Sequence, residues 1–459
     1  MYKLKKSALP LYIQLYTQIK EDIINNILKA NTKLPSIRKM SSDYKISKTT
    51  VESAYSQLYA EGYIESHPQS GYYVSKDVIQ NFTTFPIKNS NQQIEKMYKY
   101  DFYQAKHSED VFPKKLWSKL HSKAISSINF GSYPNKQGDL SLRKELSSYL
   151  SKSRAVICDE EQIVICSGFS DSMFIISNIL KEFCSSIAIE YPGYKVVQEV
   201  FSLQNYKITN IPILRNGIDL KALKQTKSKL IYVTPSHQYP TGKTIPISKR
   251  IDLINWACDN DAYIIEDDYD SELSYNNKPI PSLQGINDNQ RVIYSGTFSK
   301  ALSPAIRVSY IVLPKKLISM YKKIFYFSFS GVPIDIQKSL ELFIKEGYWD
   351  KHIRKMRTLN KKKHDLMKKA IKEYLENSVE IIREGSGLTI LIKSKININW
   401  EKLHLLLEEK SIKVYSTTYD SNLNDNTIYL GFGGFKEDEI SIAVKSFATV
   451  WFQSIKNTN

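Results

Sequence analysis

Three stretches near the start of the chain have apolar residues at helical spacing. Pro10 stands at the first turn of the longest stretch, a position that favours proline. Its apolar positions, four residues apart, are Leu11, Leu15, Ile19, Ile23 and Ile27. The two shorter stretches have apolar positions at Ile37, Met40 and Tyr44, and at Val51, Ala54, Tyr55 and Leu58. The pattern predicts three helices, the third of which begins at Ser47, a favoured N-cap, and ends near Gly62.

Two short strands are predicted after the third helix, where residues 63–66 and 71–75 flank a polar loop. This is the pattern of a helix-turn-helix followed by a wing, in which the second helix of the pair enters the major groove of DNA. Short hydroxyls and cations suit contacts with phosphates and base edges. The candidate DNA-binding residues are Arg38, Ser47, Lys48, Thr49, Thr50 and Gly71. Periodicity alone is also compatible with a three-helix adaptor that exposes a solvated lysine face.

A polar segment, residues 76–100, shows no sustained periodicity and predicts a linker between a small unit, residues 1–75, and a large unit, residues 101–459. In the large unit, short apolar runs alternate with longer amphipathic segments. The clearest apolar runs are 163–166, 187–189, 230–233, 262–265 and 292–294. Such runs are typical of buried parallel strands, and the segments between them are long enough for crossover helices. The large unit is therefore predicted to be an α/β domain.

Composition and charge narrow the class of protein. The 459 residues include 64 Lys and Arg against 47 Asp and Glu, a formal net charge of +17, which favours an anionic partner such as nucleic acid. The four cysteines form no CxxC pair, which is typical of a reducing compartment rather than a secreted disulfide framework. No apolar run approaches the roughly 20 residues needed to cross a bilayer. We therefore expect a cytoplasmic protein.

One lysine stands directly after a predicted strand, in the segment Ser295-Gly296-Thr297-Phe298-Ser299-Lys300. A lysine that forms a Schiff base suits an aldehyde cofactor, and pyridoxal phosphate (PLP) is the cofactor of this kind. The hydroxyls of Thr297 and Ser299 and the guanidinium of Arg307 are suited to hold its phosphate. Lys300 is therefore the candidate attachment point.

Three other strand ends carry groups that the same cofactor requires. Asp267 ends a buried strand, and one carboxylate paired with the pyridine nitrogen lets the cofactor act as an electron sink. A magnesium site is the alternative interpretation of the acidic residues there. The turn at Ser167 and Gly168 leads from a strand into a helix, where backbone N–H groups cradle phosphate. Tyr194 follows another strand and offers a ring for stacking.

These segments occur in the order expected of a fold-type I aminotransferase. Together with the N-terminal pattern, the chain resembles the MocR/GabR family of bacterial transcription regulators, in which a GntR-type winged helix precedes an aminotransferase-like, PLP-binding domain. The resemblance implies Lys300 as the Schiff-base lysine, Asp267 as the partner of the pyridine nitrogen and Tyr269 as the phenol near the ring oxygen. It implies further cofactor contacts at Tyr194, Ser167, Gly168, Thr297, Arg307 and His237. It also implies a head-to-tail homodimer that binds double-stranded DNA and has no catalytic residues of an enzyme.

At two positions this chain has a different residue from the one that catalytic aminotransferases have. Tyr239 stands where catalytic relatives have an asparagine, and Tyr429 stands where they hold a substrate carboxylate with an arginine. No arginine follows Arg383 in the chain, so a two-pronged carboxylate clamp is not expected. These departures favour a regulator that senses PLP itself, as in the PdxR-like subgroup.

Three alternatives remain open at this point. The regulator senses an amino acid or amine through its external aldimine with PLP. The chain is a working aminotransferase with a vestigial winged helix. Or the large domain is a dimerisation scaffold that binds no ligand.

Overall fold

The computed structural model describes residues 2, 4, 9–76, 97–214, 217–275, 280–286, 290–384, 387–416 and 426–456. The chain divides into two compact units, Met1–Glu95 and Lys96–Asn459. Most of the predicted linker, residues 77–96, lies outside the described residues. Tyr100, which the sequence analysis placed at the end of the linker, is the first residue of a strand in the large unit.

The small unit is a three-helix bundle with a two-stranded antiparallel sheet. Its elements are α1 (Leu11–Ile24), α2 (Ile37–Tyr44), α3 (Lys48–Ala60), β1 (Ile64–His67) and β2 (Gly71–Val74). Serine side chains cap the second and third helices, since Ser36 accepts a hydrogen bond from the Lys39 N–H at 3.3 Å and Ser47 accepts one from the Thr50 N–H at 3.1 Å.

The apolar stripe of the first helix is shorter than predicted. Leu15, Ile19 and Ile23 are fully buried, but α1 ends at Ile24, and Ile27 is 67% exposed. Four residues turn a helix by about 400°, so a strict spacing of four drifts about 40° per step and leaves the buried face. The prediction that Ile27 continues this helix is therefore wrong.

The large unit combines a mixed eight-stranded sheet, a four-stranded sheet and surrounding helices. Its strands are β3 (Tyr100–Asp101), β4 (Ile163–Cys166), β5 (Ser186–Tyr191), β6 (Lys207–Leu214), β7 (Gly217–Ile218), β8 (Leu230–Val233), β9 (Tyr263–Asp268), β10 (Val292–Thr297), β11 (Ser309–Val312), β12 (Val379–Arg383), β13 (Thr389–Ser394), β14 (Ile412–Lys413), β15 (Tyr415–Ser416) and β16 (Thr427–Gly431). Its helices are α4 (Lys114–Ile125), α5 (Leu140–Arg154), α6 (Phe169–Leu180), α7 (Lys195–Leu203), α8 (Leu220–Lys224), α9 (Ile247–Asp259), α10 (Lys315–Ile324), α11 (Ile334–Lys345), α12 (Tyr348–Tyr374), α13 (Trp400–Glu409) and α14 (Glu437–Gln453). The prediction of an α/β large unit is confirmed.

The large sheet has the strand order β4-β11-β10-β9-β8-β5-β6-β7. Strands β10, β9, β8, β5 and β6 are parallel, whereas β11 runs antiparallel to both β10 and β4. The sheet is therefore mixed, and β4 is not parallel to its neighbour as its apolar run predicted. The carboxyl ends of β4, β5, β8, β9 and β10 still meet at one edge, which is where ligands bind in sheets of this kind.

A second, antiparallel sheet with the order β12-β13-β16-β15 lies in the C-terminal part of the large unit. Helices α12 and α14 pack together beside it, and its core includes Ile390, Leu430 and Trp451. The sequence analysis did not predict this sheet. Among the described residues, no helix is both long and apolar enough to cross a membrane.

Candidate functional site

A cavity of about 1120 Å³ opens at the edge where the carboxyl ends of the parallel strands meet. It is lined by seven of the ten predicted cofactor contacts: Tyr194, Asp267, Tyr269, Thr297, Ser299, Lys300 and Arg307. The structure therefore brings together residues that lie more than one hundred positions apart in the chain. Ser167, Gly168 and His237 do not line this cavity.

Lys300 follows β10 and lies with its amine 5.5 Å from the centre of the Tyr269 ring. Burial lowers the pKa of this amine to about 8, while Asp270 acts in the opposite direction and Arg383 adds to the lowering. A lowered pKa leaves more of the amine uncharged near neutral pH, and only the uncharged amine attacks an aldehyde. Lys300 therefore has the environment of a nucleophilic lysine.

Asp267, at the end of β9, is buried and accepts a hydrogen bond from the Tyr232 hydroxyl at 2.5 Å. Burial raises the pKa of this carboxyl to about 7, and the hydrogen bond from Tyr232 opposes the rise. A cationic partner in the cavity would favour the charged carboxylate and offset its loss of solvation. The position suits a group that needs a buried counter-charge.

Arg307 and Thr297, which the sequence analysis assigned to the phosphate, both line the cavity. Arg307 adopts a left-handed backbone with φ of 51°, which is rare for a residue with a side chain and occurs most often at functional sites. Its guanidinium packs so closely on Gly168 that a Cβ there would lie 2.1 Å from Nη2. Gly168 therefore serves the site by leaving room for Arg307.

One backbone N–H of the predicted phosphate turn is already engaged within the protein. The backbone N–H of Ser167 does not point to an open cradle, because it donates a hydrogen bond to the Asp171 carboxylate at 2.7 Å. Asp171 lies in the first turn of α6, where a carboxylate is favoured by the helix dipole. The protein thus satisfies this donor itself.

Aromatic rings form one wall of the site. The Tyr194 ring lies 5.3 Å from the Phe169 ring and 5.4 Å from the Tyr239 ring, between ring centroids. Tyr239 also stacks on Tyr429, with centroids 6.2 Å apart, and its hydroxyl accepts a hydrogen bond from Gln104 at 2.9 Å. The position that relatives use for a carboxylate-binding arginine is thus filled by a packed tyrosine.

Sequence reasoning missed Arg383, the last residue of β12. This side chain is buried, and its Nη2 donates hydrogen bonds to the Tyr269 hydroxyl at 3.0 Å and to Asp270 at 3.1 Å. His237 was expected to contact the cofactor, but its ring Nδ1 lies 2.9 Å from Asp270 instead. The signal available in the sequence was Asp270, the fourth acidic residue of the segment 266–270, because a buried carboxylate needs a partner.

The carboxylates at the end of β9 and just beyond it bind different partners and do not share one site. Asp268 pairs with the buried Arg154 at 2.6 Å, and Asp270 pairs with His237 and Arg383. Among the described residues, no group of three or more His, Cys, Asp or Glu side chains is placed to hold a metal ion. The donor set of the cavity instead matches three parts of PLP: an amine for its aldehyde, a buried carboxylate for its pyridine nitrogen, and an arginine with hydroxyls for its phosphate.

In the small unit, the predicted DNA contacts lie on or beside the two capped helices. Arg38, Ser47, Lys48 and Thr49 are exposed, and Gly71 begins β2 with φ of 107°. The hydroxyls of Ser47 and its neighbours are partly used within the cap, where Ser47 Oγ lies 2.9 Å from the Thr49 hydroxyl and 2.7 Å from the Thr50 hydroxyl. Two exposed cations on the same surface, Lys39 and Lys45, were not predicted.

Comparisons with known proteins agree with this architecture. Residues 11–74 match the gntR family of bacterial regulatory proteins, and residues 100–421 match the aminotransferase class I and II family. The kynurenine aminotransferase of Pyrococcus horikoshii shares the fold, with a TM-score of 0.68 at 22% identity over 78% of this chain and 92% of that one. The class of protein is therefore a transcription regulator with a winged helix and an aminotransferase-like domain.

Three relatives identify the family. The HTH-type transcriptional regulator YdeL of Bacillus subtilis (strain 168) is 36% identical over 452 residues, which is 96% of this chain and 97% of YdeL. The probable rhizopine catabolism regulatory protein MocR of Rhizobium meliloti is 29% identical over 85% of this chain and 83% of MocR. The pyridoxine biosynthesis regulator PdxR of Corynebacterium glutamicum is 25% identical over 93% of each chain. The chain belongs to the MocR family of HTH-type transcriptional regulators.

Proposed function

We propose that this regulator binds PLP through Lys300 and uses PLP itself as the effector that controls vitamin B6 synthesis genes. The observation that carries the proposal is that Lys300 and Asp267 line the same cavity. A lysine with its pKa lowered to about 8 and a fully buried carboxylate are the two groups that PLP requires and that few other ligands require together.

Each part of the cofactor has a partner in the cavity. Lys300 binds the aldehyde carbon, Asp267 holds the pyridine nitrogen, and Tyr194 covers one face of the ring. Arg307, Thr297 and Ser299 hold the phosphate, with Gly168 leaving room for the guanidinium. When bound, PLP supplies an aldehyde that reacts with amines and a ring that withdraws electrons.

PLP is favoured over an amino acid as effector because the arginines at the site are already engaged. Among the described residues, Arg307 is the one arginine that lines the cavity, and we assign it to the phosphate. Arg383 is held by Asp270 and does not line the cavity. A carboxylate therefore meets no free guanidinium there, and the relative PdxR is named for pyridoxine biosynthesis.

The regulator acts on DNA as a homodimer in this proposal. The winged helix contacts the operator through Arg38, Lys48 and the hydroxyls at the start of α3. An exposed aromatic patch of the large unit supplies a surface for a second copy, since Phe327 is 89% exposed and Tyr133 is 83% exposed. Tyr133 stacks on Phe329, with ring centroids 4.8 Å apart, so the patch is ordered before a partner covers it.

A spectral titration followed by operator binding tests this proposal. Added PLP should produce a visible absorbance that borohydride fixes in the unchanged protein and that Lys300→Ala lacks. The same PLP should then change operator affinity, whereas an amino-acid panel at saturating PLP should leave it unchanged. A response to one amino acid and none to PLP would contradict the proposal.

Amino-acid or amine sensing is the second candidate, and one observation favours it. Lys106 and Lys114 also line the cavity. A lysine ammonium is able to pair with a ligand carboxylate as a point charge, although that of Lys106 already pairs with Asp101 at 3.1 Å. The replacement Lys106→Ala with Lys114→Ala separates the two candidates. It should abolish an amino-acid response but leave a response to PLP intact.

A further inference from the structure

Three separate segments of the large unit converge behind the Tyr269 ring. Arg383 comes from β12 of the C-terminal sheet, Asp270 follows β9, and His237 follows β8. The side chains of Asp270 and Arg383 are 2% and 3% exposed, and Asp270 lies between the other two, 2.9 Å from His237 and 3.1 Å from Arg383. The attraction of His237 and Arg383 lowers the pKa of Asp270 despite its burial.

The hydrogen bonds of the Tyr269 hydroxyl show what this cluster does. A phenol has one proton to donate and lone pairs that accept. Its proton goes to the backbone carbonyl of His237 at 3.0 Å, so the contact with Arg383 at 3.0 Å is one in which the guanidinium donates. Together, the His237 carbonyl that accepts and the Arg383 guanidinium that donates hold the Tyr269 hydroxyl in one orientation.

The protein is shaped to admit the guanidinium at this point. Gly242 has φ of +70°, and a Cβ there would lie 2.7 Å from Arg383 Cγ. Gly387 has φ of +71°, and a Cβ there would lie 3.1 Å from Asp270 Oδ2. Arg383 Nη1 also reaches the Pro240 carbonyl at 3.4 Å. Two glycines in a conformation that other residues rarely adopt thus leave space for one ion pair.

We propose that Arg383 is a positioning residue of the PLP site: with Asp270 it fixes the Tyr269 hydroxyl and ties the C-terminal sheet to the strand ends that carry the cofactor. The inference rests on the proposed binding of PLP at Lys300. A lysine at position 383 would keep the charge, but its one ammonium lacks the second nitrogen with which the planar guanidinium reaches the Pro240 carbonyl while Nη2 bonds Tyr269 and Asp270. Charge and geometry are therefore separable by substitution.

The test compares Arg383→Met and Arg383→Lys in the full chain, measuring the PLP dissociation constant and the pH midpoint of the absorbance of bound PLP. The charged and titratable groups that face Tyr269 include Arg383, Asp270, Lys300, Tyr239, Tyr429 and the partner of Asp270, His237. Loss of the Arg383 cation should raise the midpoint by about one pH unit, because that cation opposes protonation of its neighbours.

The Arg383→Met and Arg383→Lys variants should differ in their effects on PLP affinity and on the pH midpoint. Arg383→Met should weaken PLP binding about tenfold and move the midpoint. Arg383→Lys should restore the midpoint but not the affinity, because the charge returns without the planar guanidinium and its second bond to Pro240. Arg143→Met is the matched control, since Arg143 is 1% exposed and bonds the carbonyls of Gly138 and Glu160 away from the site. It should lower the melting temperature and leave both PLP readouts unchanged.

The inference is overturned if both Arg383 variants melt lower but bind PLP with unchanged affinity and midpoint. If Arg383→Met does not fold, Arg383→Lys is combined with Tyr269→Phe. An effect that acts through the hydroxyl disappears in the Tyr269→Phe background, whereas an independent effect adds to it and counts against the inference. The proposed function is tested separately, because it requires PLP absorbance in the unchanged protein and its loss in Lys300→Ala.

Discussion

The two functional surfaces of this regulator are built in opposite ways. In the small unit, the predicted DNA contacts come from two short capped helices and the start of β2, and most of them are exposed. In the large unit, the site groups come from strand ends between Ser167 and Arg383. Asp267, Asp270 and Arg383 are buried there, whereas Arg307 is exposed. The first surface offers fixed charges to solvent, whereas the second changes the protonation behaviour of its groups.

The difference in burial between the two surfaces indicates which unit responds to pH and to ligands. Lysine and arginine in water stay charged across physiological pH, so the DNA contacts present a constant surface. Burial brings the pKa of the Lys300 amine down to about 8 and that of the Asp267 carboxyl up to about 7. The large unit therefore holds the groups that we propose respond to a ligand, and the small unit holds the predicted DNA contacts. The predictions that follow test this division.

The largest effect is expected from Lys300→Ala. The covalent bond to PLP needs this amine, so the borohydride-fixed absorbance should vanish completely while the melting temperature of the protein without PLP stays similar. Lys114→Ala, which removes another lysine of the same cavity, should retain the absorbance. Absorbance that survives in Lys300→Ala would show that another lysine is the attachment point.

Asp267→Asn should weaken PLP binding about 100-fold, because removing one partner of a buried ion pair costs roughly 3 kcal/mol or more. Equilibrium titration of the absorbance measures the loss. Glu266→Gln is the matched control, since Glu266 precedes Asp267 on β9, is fully buried and accepts hydrogen bonds from the backbone N–H groups of Leu283 and Gln284. Equal losses in both variants would mean that Asp267 matters for the fold alone.

PLP binding should tighten about tenfold or more as pH rises from about 6 to about 8. Across that range the Asp267 carboxyl with its pKa of about 7 loses its proton, and the Lys300 amine with its pKa of about 8 begins to do so. Operator affinity without PLP should change less, because the predicted DNA contacts include no carboxylate, histidine or cysteine. A pH-independent PLP affinity would contradict the buried character of the site.

Arg38→Ala with Lys48→Ala should reduce the salt dependence of operator binding by about four units of log–log slope, because the proposed homodimer loses two phosphate contacts in each chain at roughly one unit each. Binding to a labelled operator at several salt concentrations measures the slope. A double replacement of lysines in the large unit, Lys224→Ala with Lys249→Ala, is the control and should leave the slope unchanged. An unchanged slope in the Arg38 and Lys48 variant would place the DNA contacts elsewhere.

The same contrast explains what the sequence could predict. The capped helices and apolar strands were foreseeable because N-caps, periodic apolar residues and strand-end polar groups are local signals. Lys300, Asp267 and Tyr194 were foreseeable because the carboxyl ends of parallel strands meet at one edge. These signals placed seven of the ten predicted contacts on one cavity.

The rest depends on contacts between distant segments. Nothing local marks Arg383 as the partner of Asp270, since β12 belongs to a sheet whose alternating pattern the sequence analysis did not detect. The use of the Ser167 N–H by Asp171 was equally hidden, because it depends on the rotamer of a side chain four residues away. The contact of His237 with Asp270 was hidden as well, because the turn motif fixes the position of His237 in the chain but not the direction of its ring.

The most direct test of the account is operator affinity with and without PLP in the 459-residue chain. A regulator responds only if its ligand binds one DNA-binding state better than another, and typical coupling energies of 1–3 kcal/mol correspond to a change of about 5–150-fold. We predict a change in that range for the unchanged protein, none for Lys300→Ala, and none on adding amino acids. Unchanged operator affinity at saturating PLP, in protein that shows the Lys300-dependent absorbance, would contradict it.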